Sequence, residues 1–326
     1  MVCDSACGWP ATCAPPSESC NGFDDDCDGT VDEACGCRSR WSEVISAPRV
    51  FNDVWGSDWN DVYVVGSSIG GHSVRNFDGS SWDAFSLVHG LEAPTLTGVW
   101  GSGSDSVFVV GLDGHIFHRD GDGWSHMSSG TSSDLEGVWG TSPDDVFVVG
   151  EGGFISHYDG FRWSHQSSGT LHNLHAVWGS APDDVWAVGD GGTILHYDGR
   201  RWSDAGYSGT NSLRTVWGRS HRDIFVGGVN VILHSTGVGT AWDVLSTFDV
   251  VTDIWGGAES WQDVLAVTTT GAMQRYEGIS SILYNSSGWA ELRSFTSGSL
   301  YGIWGSSAEN VFAVGSDGYH RCGSGW

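Results

Sequence analysis

The chain has 326 residues, including 49 Gly and 19 Trp but only 7 Pro, and carries a formal net charge of −26. So acidic a chain has no basic surface with which to neutralise phosphates, which argues against nucleic acid as a partner. All 14 cationic residues are Arg, so Schiff-base and phosphate-loop chemistry built on Lys is excluded. The longest apolar runs are strand-sized, and no membrane-spanning helix is expected.

Residues 1–40 form the first predicted unit. Seven of the eight cysteines (Cys3, Cys7, Cys13, Cys20, Cys27, Cys35 and Cys37) lie here. Such density in a short polar segment reads as a disulfide framework made in an oxidising compartment; a zinc site is disfavoured because the segment has no His. No signal peptide is legible at Met1-Val2-Cys3, so a secreted or cell-surface location is read from the cysteines. The stretch Cys20 to Glu33 places Asp24, Asp26 and Asp28 at positions 1, 3 and 5 of an EF-hand-type loop, with Gly29 at 6 and Asp32 at 9. Carboxylates packed so closely repel one another unless a cation sits among them, so calcium is the expected cofactor. Position 12 is Cys35 where the EF-hand has a bidentate glutamate, and Glu33 is the candidate substitute. With no flanking helices evident, Cys20 and Cys27 are expected to hold the loop through disulfides. The stretch resembles the Asp-rich, Cys-containing metal-binding motif of bacterial surface proteins and is similar to thrombospondin type 3 repeats. That resemblance implies Asp24, Asp26, Asp28 and Asp32 as side-chain ligands and Thr30 as a carbonyl ligand.

From Trp41 to Trp326 the chain is repetitive. Val-Trp-Gly or Ile-Trp-Gly occurs seven times, with Trp55, Trp100, Trp139, Trp178, Trp217, Trp255 and Trp304 spaced 45, 39, 39, 39, 38 and 49 residues apart. A period near 40 with strand-like content predicts an array of small sheets. In the clearest copy, Leu174–Gly179 reads as a first strand and Ala181–Asp184 as a turn. Val185–Val188 reads as a strand buried on both faces. Asp190-Gly191-Gly192 is a hairpin turn, Thr193–Tyr197 a third strand, and Trp202-Ser203 opens an outer strand. Four antiparallel strands in each of seven copies predict an all-β, seven-bladed propeller over residues 41–326.

The ends are out of phase with the repeat. Trp41–Ser46 matches an outer strand such as Trp124–Ser128, while the chain stops before the last copy makes its own, so the first piece is expected to complete the last blade and close the ring. Cys322 stands where the hairpin has Asp198, four residues before Trp326, as Cys37 stands four before Trp41. A disulfide from Cys322 to Cys37, or to Cys35, is therefore expected at the seam. The repeat resembles bacterial β-propeller repeats of the form VWG…DDV…VG…HYDG…W, with hairpins like those of Asp-box and kelch propellers. The resemblance specifies fold and says little of function.

His118, His157, His196, His234 and His320 recur at one place in the third strand. A repeated position is expected to be structural, with each His bonded to an Asp of a neighbouring blade; Asp61, Asp145, Asp184, Asp223 and Asp263 are the candidates. The repeated Trp residues are read as packing between blades. Departures from the repeat point to function. Trp59 and Trp261 stand in the loops after the first strand and are the candidate ligand-binding residues, suited to stacking on sugars or gripping a protein. Insertions at 67–72, 88–97 and 280–288 lengthen loops that could rim a binding face. Asp113, Glu151, Asp190 and Asp317 are expected to ring one mouth of the channel, and Asn285-Ser286-Ser287 is a formal glycosylation sequon. There is no Ser/Cys–His–Asp order, no HExxH and no phosphate loop, so no enzyme is expected. His72, His89 and His172 are the non-repeated histidines a propeller enzyme could use. The expectation is a secreted or cell-surface module that binds glycan or protein, with a subunit of an extracellular assembly as the alternative and a hydrolase or lyase as the third reading.

Overall fold

The computed structural model describes residues 41–45, 50–69, 72–87, 93–121, 123–237, 241–257, 264–278, 288–292, 296–308 and 310–322. The calls on Asp24, Asp26, Asp28, Thr30, Asp32, Glu33, Cys20, Cys27, Cys35, Cys37, Trp261, Asp263 and Asn285 lie outside these residues, as does the side chain of Cys322.

The described chain is built of β-strands joined by turns. β1 is Ser42–Ile45. The first repeat holds β2 to β5 (Phe51–Asp58, Asp61–Ile69, His72–Phe77, Trp82–Phe85) and the second β6 to β9 (Leu96–Gly103, Ser106–Gly111, His115–Arg119, Trp124–Ser128). The third holds β10 to β13 (Leu135–Ser142, Asp145–Gly150, Ile155–Tyr158, Trp163–Gln166) and the fourth β14 to β17 (Leu174–Ala181, Asp184–Gly189, Ile194–Tyr197, Trp202–Asp204). Then follow β18 to β20 (Leu213–Ser220, Asp223–Ser235, Asp243–Gly256), β21 to β23 (Val264–Thr268, Met273–Tyr276, Trp289–Leu292) and β24 to β26 (Leu300–Ser307, Asn310–Gly315, Gly318–Cys322).

Each of the first four repeats is a four-stranded antiparallel sheet in chain order. The last sheet runs β1-β26-β25-β24, with Ser42 opposite His320 and Ile45 opposite Gly318. The fifth and sixth repeats keep four antiparallel segments each but share one continuous sheet from β18 to β23, because β19 and β20 each run unbroken through a bend. The cause is local. Val229-Asn230-Val231 replaces the Asp-Gly-Gly turn, and Asn230 takes the left-handed conformation (φ 58°) that Asn tolerates. β19 therefore reverses without a break, bringing His234 to 2.8 Å from Asp223. β20 then carries the outer strand of one repeat straight into the inner strand of the next, and Val229 pairs with Val250 across the junction.

Packing between sheets repeats with the sequence. Trp139 of the third repeat lies on Gly179 of the fourth so closely that a Cβ there would come within 2.6 Å of the indole and 2.7 Å of the Asp184 carbonyl. The same contact links Trp55 to Gly101, Trp100 to Gly140, Trp178 to Gly218, Trp217 to Gly256, Trp255 to Gly305, and Trp304 of the last repeat to Gly56 of the first. The second strands are the buried centre: Val185, Ala187 and Val188 are fully buried and Trp186 is 2% exposed. Burying one such Val contributes about 1.5–3 kcal/mol. Clusters form between sheets, as where Phe147, Val149 and Ile155 meet Leu174, Val177 and Val185. Ile45 and Phe312 likewise join Phe51, Val54 and Val62.

Candidate binding site at the strand starts

Two kinds of polar position emerge from this frame. The first recurs. His157 Nε2 donates to Asp145 at 2.5 Å, His196 to Asp184 at 2.7 Å and His234 to Asp223 at 2.8 Å. His118 pairs with Ser106 at 2.9 Å, and His320 donates to Asn310 at 2.6 Å. Asp61 accepts instead from Asn76, at 3.0 Å. The expected partner in a neighbouring blade is thus corrected to one in the same sheet. The reason is register: His196 lies opposite Trp186, and Asp184, two residues before Trp186, shares its face. Each imidazole also stacks on the aromatic ring opposite, with centroids 4.0 to 4.2 Å apart at Phe108, Phe147, Trp186, Phe225 and Phe312. Burial drives the His320 pKa down to about 4, so this ring is neutral at physiological pH.

The second kind does not recur. Three residues before each repeated Trp stand Asn52, Thr97, Glu136, His175, Arg214, Thr252 and Tyr301, and all seven line one cavity of about 580 Å³ where the first strands begin. Three of them brace the seams between repeats. Asn52 donates to the Leu96 carbonyl at 2.6 Å, Thr97 to that of Leu135 at 2.5 Å and Thr252 to that of Leu300 at 2.8 Å. Glu136, His175 and Arg214, from three consecutive repeats, make up a charged arc.

The strand start and the next turn together position His175. Leu174 is fully buried and anchors β14, so alternation carries His175 to the cavity side. Gly191 and Gly192 adopt left-handed φ of 66° and 73°, and Asp190 donates its N–H to the Asn173 carbonyl at 2.9 Å. The Asp190 carboxylate is thereby held over the start of β14, accepting from His175 Nε2 at 2.9 Å and from Ser212 Oγ at 2.6 Å. Burial works against ionised Asp190, but the bonds from Ser212 and His175 outweigh it and keep its pKa below the usual value. Burial raises the Glu136 pKa, an effect that the charges of His175 and Arg214 partly offset. Arg214 Nη1 lies 3.4 Å from His175 Nε2. The arc thus sets an acid, an imidazole fixed by a carboxylate and a guanidinium side by side in a concave site.

Deeper in the same cavity are two carboxyl groups the sequence reading did not single out. Asp53 accepts from the N–H of Val54 and of Val99, each at 2.8 Å, bridging the first and second repeats. Asp253 accepts from Thr215 Oγ1 at 2.9 Å, Ile254 N at 2.8 Å and Ile303 N at 2.9 Å. Burial, and then the charge of Asp253, push the Asp53 pKa up to about 8; burial pushes that of Asp253 to about 6. Both keep some surface toward the cavity, yet protein surrounds them.

The sequence-based candidates fall differently. Asp190 joins the arc, while Asp113 and Glu151 are exposed at the matching turns. His172 is exposed and bonds Thr193 at 2.9 Å, and the side chain of His72 lies outside the described residues, as does His89. Trp59 stands in the turn between β2 and β3, at the strand ends opposite the cavity. It is half-buried, with its indole about where a Cβ on Gly79 would come within 3.3 Å. It therefore covers its own sheet's outer hairpin. Sequence reasoning missed Glu136, His175, Arg214 and Tyr301. Each copy alone shows an ordinary strand residue there, and only a column of seven dissimilar polar residues marks the position.

No protein-family model and no curated protein matches the sequence. Solved structures do match the fold. YCF48 from Cyanidioschyzon merolae is 16% identical, with a TM-score of 0.67 over 86% of this chain and 98% of that one. A structure of YCF48 bound to D1 peptide is 15% identical, with a TM-score of 0.66 over 87% and 97%. Streptogramin B lyase is 10% identical, with a TM-score of 0.72 over 86% and 96%. At these identities the likeness establishes a β-propeller fold with repeated blades. Among the described residues no helix is long and apolar enough to cross a membrane.

Proposed function

We propose that this protein is a recognition module: a seven-bladed propeller, closed between its last and first repeats, that binds a protein or glycan ligand at the channel mouth. One observation carries the reading. The position three before the repeated Trp, which lines the cavity in every copy, holds seven residues of which only Thr occurs twice. A fold needs no such diversity, and pockets gain specificity from a few convergent polar groups. Closure is supported by the contact of Trp304 on Gly56 and by β1 pairing with β26. That one structural neighbour is a complex with a peptide is consistent with a protein ligand.

With this reading go the N-terminal unit 1–40, calcium held by Asp24, Asp26, Asp28, Thr30, Asp32 and Glu33, a bridge from Cys322 to Cys37 or Cys35, and a secreted or cell-surface location. Trp59, which stands at the opposite strand ends, and Trp261 are the alternative ligand-binding residues. Catalysis is the second reading, favoured by the His175–Asp190 pair, whose fixed imidazole is suited to proton transfer. A subunit role in an extracellular assembly remains the alternative without a ligand.

The test applies the full chain to glycan and peptide arrays, alongside a Glu136→Ala/His175→Ala/Arg214→Ala variant and a Trp59→Ala/Trp261→Ala variant. Binding lost in the first and kept in the second supports the channel mouth. The reverse moves the site to the tryptophans, and no binding by the wild type rejects recognition in favour of assembly or catalysis.

A further inference from the structure

A pair of histidines found together in one repeat lies on the second repeat, outside the cavity. In the β8–β9 hairpin His115 lies opposite Ser128 and Phe117 opposite His126. His115 and His126 are therefore diagonal neighbours on one face, the arrangement in which long side chains reach each other across strands. Both rings rest on Phe117, itself fully buried, with centroids 5.8 and 5.1 Å away. His115 Nδ1 and His126 Nε2 face each other at 3.4 Å.

That separation is beyond the usual hydrogen-bond range of about 2.7–3.2 Å. It matches a shared metal. Two imidazole nitrogens bound about 2.0–2.1 Å from one tetrahedral ion lie about 3.3–3.4 Å apart. The pair also occurs once: the same two places hold Phe154 and His165 in the third repeat, and Thr193 and Asp204 in the fourth. The fold therefore does not require it.

We propose that His115 Nδ1 and His126 Nε2 chelate a divalent transition metal of the Ni²⁺, Cu²⁺ or Zn²⁺ class across the β8–β9 hairpin. Imidazole suits these ions, whereas calcium takes oxygen ligands, so the site is chemically separate from the acidic loop of the N-terminal unit. Among the described residues no three His, Cys, Asp or Glu side chains gather as a fuller cage. The described residues therefore supply two ligands, and water or an incoming ligand completes the shell. A metal held only by the folded hairpin stabilises it by linkage.

The experiment is calorimetric titration of the full chain with NiCl₂, comparing wild type with His115→Phe, His115→Thr and His126→Gln. The two His115 substitutions install residues that sister repeats already carry there, and melting curves check each fold. His165→Gln serves as the control for a lone histidine on the same kind of hairpin. One Ni²⁺ site is expected in wild type and in the control, weakened at least about tenfold by loss of either ligand. Equal Ni²⁺ binding by wild type and by both His115 variants would overturn the assignment, as would no binding by the wild type.

Discussion

The fourth repeat contains two His–Asp pairs of nearly the same length and opposite meaning. His196 donates to Asp184 at 2.7 Å and stacks on Trp186; His175 donates to Asp190 at 2.9 Å in the lining of the cavity. The first recurs in the third and fifth repeats, always against an aromatic ring of the second strand. The second occurs once, since no other copy has His three residues before its repeated Trp. A repeat protein thus offers its own control: what recurs between copies serves the sheet, and what one copy holds is free to serve a ligand.

Substitutions should separate the two regions by the size of their effect on stability. Phe147 is fully buried and carries His157 on its face; Phe147→Ala is expected to cost about 3–5 kcal/mol in urea unfolding. His234 is 2% exposed, and His234→Ala leaves Asp223 without its imidazole, at about 2–3 kcal/mol. A loss below about 1 kcal/mol would remove the structural role assigned to the recurring pair. At the cavity, by contrast, Arg214→Ala changes an exposed residue, and its effect should stay within about 0.5 kcal/mol.

The carboxyl groups deeper in the cavity sharpen the comparison through pH. Folded Asp53 and Asp253 hold their protons to about pH 8 and 6, whereas the unfolded chain releases them near 3.8. Their contribution to stability is therefore complete below about pH 4 and is lost as pH rises toward 8. Replacing both with Ala, the residue standing at Ala176, should leave a melting temperature that falls less between pH 5 and 8 than that of the wild type. Parallel curves would mean that these groups ionise freely in the cavity.

Much of this division was legible in the sequence. The Val-Trp-Gly period and runs such as Val185–Val188 located the inner strands, because burial on both faces demands continuous apolar sequence. The His–Asp pairing was legible as well, but its geometry was not, since it depends on the hairpin register that sets His196 opposite Trp186. The continuity of the fifth and sixth repeats was not legible, because it rests on β20 running unbroken from Asp243 to Gly256. His175 was hidden for a different reason. A polar residue beginning a strand carries no signal by itself, and its meaning comes from six other residues that meet it only in space.

Crystallographic screening of the full chain against a fragment library tests the central claim most directly, because small fragments locate a binding site whatever its natural ligand is. Fragments clustered among Glu136, His175, Arg214 and Tyr301 are the predicted result. Fragments clustered on the opposite face around Trp59, with the channel mouth empty, would contradict it.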